Sequence, residues 1–260
     1  MSCSNTLQFL KFRPDEYKKI CQCLNDVFHT SPAELTNLYK DLKSTFRKED
    51  YPPHFVPRSF FQSEDSQFRS TCQESPSIAI DLPSVWELGD KKQDKPTVVI
   101  LGQDPKSNQD NKQISLGTPY GLHHKDSREI ITNTKLYFRM VQVLMQLGYR
   151  VYLTDIFKVW VCNPSHKYKG ITLPKVDKER FLDILEKELN AVNPAAVVTW
   201  GKAAEGAVKP LKISKTIAFL HPSGAANGAF KKLIGKSPTH ENKLGYWEET
   251  MREELGIAKE

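Results

Sequence analysis

The 260-residue chain contains no run of about 18 consecutive apolar residues, so no membrane-spanning helix is expected. Met1 to Lys11 lack a basic stretch followed by an apolar one, and no secretory leader is expected. The cysteines are few and odd in number: Cys3, Cys21, Cys23, Cys72 and Cys162. Their spacing fits neither a disulfide framework nor a zinc ribbon. Reduced thiols in an intracellular protein are the expectation. Gly-x-Gly-x-x-Gly, the P-loop and Gly-x-Ser-x-Gly are all missing. That removes the dinucleotide fingerprint, the phosphate cradle and the nucleophile elbow. There is no internal repeat and no low-complexity block.

What is present is ordinary in amount and particular in arrangement. Apolar residues make up 39% of the chain, enough for a real core, and the formal net charge is +6. A moderately basic chain suits a nucleic-acid partner without requiring one. Residues 1–90 read as a mainly helical extension packed on the core. Helices are predicted over Pro14–Phe28 and Pro32–Arg47, the second opened by Ser31-Pro32. Tyr51-Pro52-Pro53-His54 and a Ser/Gln-rich segment to Ser77 follow.

Residues 91–260 read as one α/β domain. Short apolar runs at Val98–Leu101, Val151–Leu153, Ala195–Trp200 and Thr216–Leu220 alternate with helical periodicity. Leu136, Met140, Val143, Leu144 and Leu147 mark one helix, and Leu182, Leu185, Leu189 and Val192 another, stopped by Pro194. Strands alternating with helices predict right-handed crossovers and a three-layer α/β/α fold around a four-stranded parallel sheet.

Each predicted strand runs into polar residues: Gln103-Asp104, Asp155, Gly201-Lys202 and His221-Pro222-Ser223. In a parallel sheet these all fall on the carboxyl edge, where such folds bind ligands. Asp104 and His221 are candidates for one cleft, one to activate water and one to stabilise developing negative charge. Elsewhere, Lys158-Val159-Trp160 to His166-Lys167-Tyr168-Lys169 interleaves bases with aromatics. It reads equally as a single-strand binding surface or as a solvated loop with buried rings. The adjacent histidines His123 and His124 lack an obvious third metal ligand.

Taken together, Gly102-Gln103-Asp104-Pro105-Lys106, Tyr120-Gly121-Leu122-His123-His124, Leu153-Thr154-Asp155-Ile156, Trp200-Gly201-Lys202 and His221-Pro222-Ser223 resemble the motifs of the uracil-DNA glycosylase superfamily. The closest likeness is to its main uracil-excising family, over roughly residues 97–235. The resemblance implies hydrolysis of an N-glycosidic bond in DNA by a monomer, in base excision repair, without metal or cofactor. It implies that Asp104 orients water or stabilises the sugar cation, and that His221 donates to a base oxygen as neutral imidazole. Gln103, Lys106, His124 and Asp155 would line the base. Ser223, with Lys202 and Lys158, would hold the DNA backbone.

The departures from the family are specific. Lys106 replaces a tyrosine that closes the pocket against a 5-methyl group. His124 falls where a phenylalanine stacks on the base. Asp155 replaces the asparagine that reads uracil: an ionised carboxylate only accepts and suits an exocyclic amine, whereas a protonated one mimics the amide. Ala225 falls at the leucine that fills the gap left by the flipped base, which points to single-stranded or mispaired substrates. Three readings stay open at this point: an active glycosylase for uracil or another aberrant base, an altered or inactive nucleic-acid-binding member of the same fold, and a small-molecule hydrolase or nucleotide-binding α/β protein, the last weakened by the missing Gly-rich motifs.

Overall fold

A computed structural model of the chain describes residues 6–46, 48, 53–89, 94–106, 112–163 and 165–258, without the side chains of 166–169. Cys3 and Tyr51-Pro52 lie outside the described residues, as do the side chains of the basic–aromatic stretch from His166 to Lys169. The N-terminal segment holds β1 (Leu7–Phe9), α1 (Pro14–Asn25), α2 (Pro32–Thr45), β2 (His54–Val56), α3 (Ser66–Glu74), β3 (Ile78–Asp81) and β4 (Ser84–Leu88). There follow β5 (Thr97–Gly102), β6 (Ile114–Gly117), α4 (Lys125–Glu129), α5 (Thr132–Gln146), β7 (Arg150–Asp155), β8 (Val159–Asn163) and β9 (His166–Gly170). The chain ends with α6 (Lys175–Val192), β10 (Ala196–Trp200), α7 (Lys202–Val208), β11 (Thr216–Phe219), α8 (Asn227–Ile234) and α9 (His240–Glu254).

The main sheet corrects the expectation of four parallel strands. Among the described residues it has six, in the order β1-β4-β7-β5-β10-β11. The last four are the strands read from sequence, mutually parallel, while β4 and β1 add to one edge in antiparallel sense. A second, five-stranded sheet, β2-β6-β3-β8-β9, stands beside it. The N-terminal segment is thus not simply helical. It supplies two strands to each sheet, each three to five residues long, too short for periodicity to register.

Local signals explain the helix ends. Ser31 accepts from the Glu34 N–H while the Glu34 carboxylate accepts from the Ser31 N–H, a capping box with Pro32 in the first turn of α2. α6 stops at Asn193, which is left-handed (φ 47°), one residue before Pro194. Helices cover both faces of the main sheet. On one, Phe12 packs its ring on both Tyr152 of β7 and Tyr39 of α2. On the other, Trp86 of β4 meets Phe138 of α5, and Trp200 of β10 meets Trp247 of α9. The Trp247 indole N–H also donates to the Met140 carbonyl at 2.9 Å, tying α9 to α5. A buried ion pair joins the N-terminal segment to the sheet: the Arg150 guanidinium donates to both Glu16 oxygens at 2.6 and 2.9 Å.

Candidate active site

The carboxyl ends of β5 and β7 lie side by side, with Gly102 paired to Asp155. A methyl group on Gly102 would stand 2.2 Å from Asp155 Oδ1 and 2.7 Å from the Tyr120 hydroxyl. Glycine is therefore what lets a carboxyl group and a phenol converge over the strand end. The next residues, Gln103 and Asp104, turn outward. Gln103 is exposed and its amide donates to Asp104 Oδ2 at 2.9 Å. Asp104 is half-buried, and desolvation raises its pKa, opposed by the Gln103 hydrogen bond and by the charge of exposed Lys106. A cavity of 350 Å³ opens beside Asp104, lined also by Gln103, Lys106, Phe157, Trp160 and Lys178. Neither Asp155 nor His221 lines it.

Asp155 is 3% exposed. Burial pushes its carboxyl well above the usual range, and the nearby Asp81 and Asp104 push it further. Lys158 opposes this only in part, because its charge is also engaged by Glu188. Lys158 is fully buried, 2.9 Å from Glu188, and it donates to Thr154 Oγ1 at 3.0 Å and to the Asp155 carbonyl at 2.9 Å. The expectation that Lys158 meets a DNA phosphate is thereby overturned. A lysine without solvent access braces the strand end from below. Val159 and Trp160 are buried too.

His221 follows β11, against the turn after β10. Gly201 is left-handed (φ 94°), and a Cβ there would lie 3.3 Å from His221 Cβ, so glycine serves both the turn and the close approach. The Ser223 N–H donates to His221 Nδ1 at 3.2 Å. With Nδ1 accepting, the ring hydrogen of the neutral imidazole sits on Nε2. Burial and the neighbouring Lys243 lower the His221 pKa and favour that neutral form. Lys243, buried on α9, donates to the Pro222 carbonyl at 2.9 Å and so holds the backbone of this loop. Ser223 is half-buried; Lys202, at the start of α7, and Ala225 are exposed.

Tyr120 connects these parts, although sequence reading gave it no role. Its backbone is left-handed (φ 62°), a costly conformation for a bulky residue. Its ring lies 4.7 Å from Tyr137, 5.4 Å from Trp200 and 6.1 Å from His221, centroid to centroid. Its hydroxyl is buried with no hydrogen-bond partner. His124, the residue placed at the base by motif matching, packs its ring at a tilt on His123, 4.8 Å between centroids. His123 in turn meets His54 of β2 at 6.4 Å and the Thr118 hydroxyl at 3.1 Å. Two aromatic rings approach His221, Tyr137 at 5.9 Å and Tyr120 at 6.1 Å. The strained backbone at Tyr120 had no sequence signal beyond the flanking Pro119 and Gly121.

The structure thus brings Asp104, Asp155, Tyr120 and His221 to one edge of the sheet. It adds Asp81, whose charge raises the Asp155 pKa and whose own pKa is raised by Asp104, and places Lys158 beside the strand end. No curated protein is similar enough to match the chain. The model of the uracil DNA glycosylase superfamily matches residues 90–249, which hold β5 through most of α9 and every one of these groups except Asp81. The chain belongs to the uracil DNA glycosylase superfamily.

Proposed function

We propose that the protein is a DNA glycosylase that hydrolyses the N-glycosidic bond of a flipped-out uracil or another aberrant base. The observation that carries this reading is the Ser223 N–H bonded to His221 Nδ1, which leaves the Nε2–H to donate, while Asp104 follows β5 at the same edge of the sheet, with β10 between β5 and β11. A base still stacked in DNA cannot be reached at its sugar carbon, so it must be extruded first. Its face then packs on Tyr120, and the carboxyl group of Asp155, neutral because buried among acids, both donates and accepts as an amide would. Ser223, with exposed Lys202, holds the backbone phosphates, and Gln103 and Lys106 border the entrance.

The hydrolysis balances without a further reactant. The C1′–N bond breaks and its electron pair leaves with the base, where the His221 Nε2–H stabilises the growing negative charge. Asp104, as an anion, stabilises the cationic sugar and accepts a proton from the attacking water, whose oxygen bonds to C1′. With Ala225 at the rim, little apolar volume is available to replace an extruded base in a duplex. Single-stranded or mispaired DNA is the proposed substrate form.

The test is direct. Labelled single strands carrying uracil, thymine, cytosine, hypoxanthine or an alkylated base are incubated with the protein, and abasic sites are read by alkaline cleavage. Cleavage at one of these bases, abolished in Asp104→Asn, supports the reading. DNA binding without cleavage at any of them leaves the inactive binder in its place.

A further inference from the structure

Asp81 belongs to no motif and lies before residue 90, outside the span that the family matches. The fold nevertheless carries it to the site. β4 runs antiparallel to β7, and its first residue, Ser84, pairs with Leu153. The chain just upstream is delivered to the carboxyl end of β7, where Asp155 stands. Asp81 occupies that stretch. Its N–H donates to the Lys158 carbonyl at 3.1 Å, and it pairs with Gly117 of β6. Its Oδ1 lies 3.0 Å from the point a Gly117 Cβ would occupy, and so does His123 Cε1. Gly117 brings no side chain of its own between them.

Three carboxyl groups, Asp81, Asp104 and Asp155, therefore share one partly buried region with the Tyr120 phenol. The cations acting on them are Lys106, exposed beside Asp104, and Lys158, paired with Glu188. Across Gly117, His123 is held neutral by burial. Like charges crowded in this way cannot all ionise together near neutrality. We propose that Asp81 is a positioning residue of the hydrolysis that acts through Asp104: as an anion it reinforces the negative field at the sugar carbon, and as an acid it does not. This rests on the glycosylase reading and adds a residue to it. Burial and the charge of Asp104 push the Asp81 carboxyl up to about 7, so its charge changes near neutrality, while burial together with Asp81 and Asp104 pushes Asp155 well above the ordinary carboxylate range.

The experiment has two arms on the full chain. In the first, carboxyl carbon resonances are followed by NMR against pH. Asp81 should titrate near neutrality, and in Asp104→Asn its midpoint should fall by about one unit or more, the size of a tenfold coupling. An Asp81 that titrates in the ordinary carboxylate range, or that ignores Asp104→Asn, overturns the proposal. In the second, single-turnover cleavage of a uracil-containing single strand is measured from about pH 6 to 8. The rate should rise about tenfold through the Asp81 midpoint, Asp81→Asn should lose that rise while keeping DNA affinity, and Asp81→Glu should restore it. The same inflection in Asp81→Asn overturns the proposal. If neither protein cleaves any base, the glycosylase reading fails, and the NMR arm still decides whether Asp81 and Asp104 are coupled.

Discussion

Ser223 and His221 are locked to each other: the serine N–H points at Nδ1 of a ring two residues earlier in the chain. A protonated Nδ1 would set two N–H groups against each other. The ring therefore remains neutral, with its hydrogen on Nε2, and at pH 7 its nitrogen NMR resonances should show that tautomer. An imidazolium at neutral pH would contradict the assignment. His221→Ala should lower turnover about 10²–10³-fold, the cost of one donor to a developing anion, with DNA affinity little changed.

Tyr120 holds the aromatic cluster together and presents a ring beside His221. Tyr120→Phe removes a buried hydroxyl that has no partner and keeps the ring. It should leave base excision within a few-fold of the unmutated protein and leave stability unchanged or improved. Tyr120→Ala should cost both, with a stability loss of about 3–5 kcal/mol, as for an aromatic ring removed from a packed site. Excision rates alongside urea unfolding separate the two.

Asp155 is costly to keep charged. Its folded-state pKa is raised, so the folded chain holds a proton that the unfolded chain sheds above the ordinary carboxylate range. Stability from this group is present at low pH and is lost as pH rises toward the raised value. Asp155→Asn should remove that loss and raise the melting temperature at pH 8 by roughly 2–4 °C for each kcal/mol gained. An ionised Asp155 would have made the asparagine variant much the better uracil enzyme. A protonated one makes the two similar at neutral pH, and that similarity in cleavage rate is the expected result.

The buried histidines act in the opposite sense. Burial holds His123 well below its ordinary pKa and His124 at about 4, and it lowers His221 too. A group with a lowered histidine pKa favours folding above its unfolded value and loses that contribution as pH falls through it. Between pH 7 and 5 this loss opposes the gain from the raised carboxyls, and His124→Gln should shift the stability–pH slope toward greater stability at the acid end, read by thermal unfolding.

Ala225 is exposed on the loop after His221. Ala225→Leu should raise cleavage of a target within a perfect duplex while changing cleavage of single strands little, because extrusion from a paired duplex costs a few kcal/mol that a wedge helps to offset. Equal rates of the unmutated protein on both substrates would remove the proposed strand preference.

Much of this site was legible in the sequence because its residues follow apolar runs long enough to read as strands. Asp104, Asp155 and His221 each stand just beyond one, and a parallel sheet does the rest. Tyr120 and Asp81 were not legible for physical reasons. Tyr120 reaches the site through a left-handed backbone turn, which no periodicity announces. Asp81 reaches it because β3 and β4 are separated only by Leu82 and Pro83 and belong to different sheets. Lys158 was misplaced because a lysine among aromatics looks solvated, and its partner Glu188 lies 30 residues away on α6.

The central claim is that Asp104 acts at the sugar carbon and its attacking water while His221 assists the departure of the base. It is tested most directly by measuring abasic-site formation in a uracil-containing single strand with the unmutated protein and with Asp104→Asn, alongside DNA affinity. The expected result is cleavage by the unmutated protein, at least about 10²-fold slower in the variant, with affinity unchanged. Equal cleavage by a well-folded Asp104→Asn would contradict the claim.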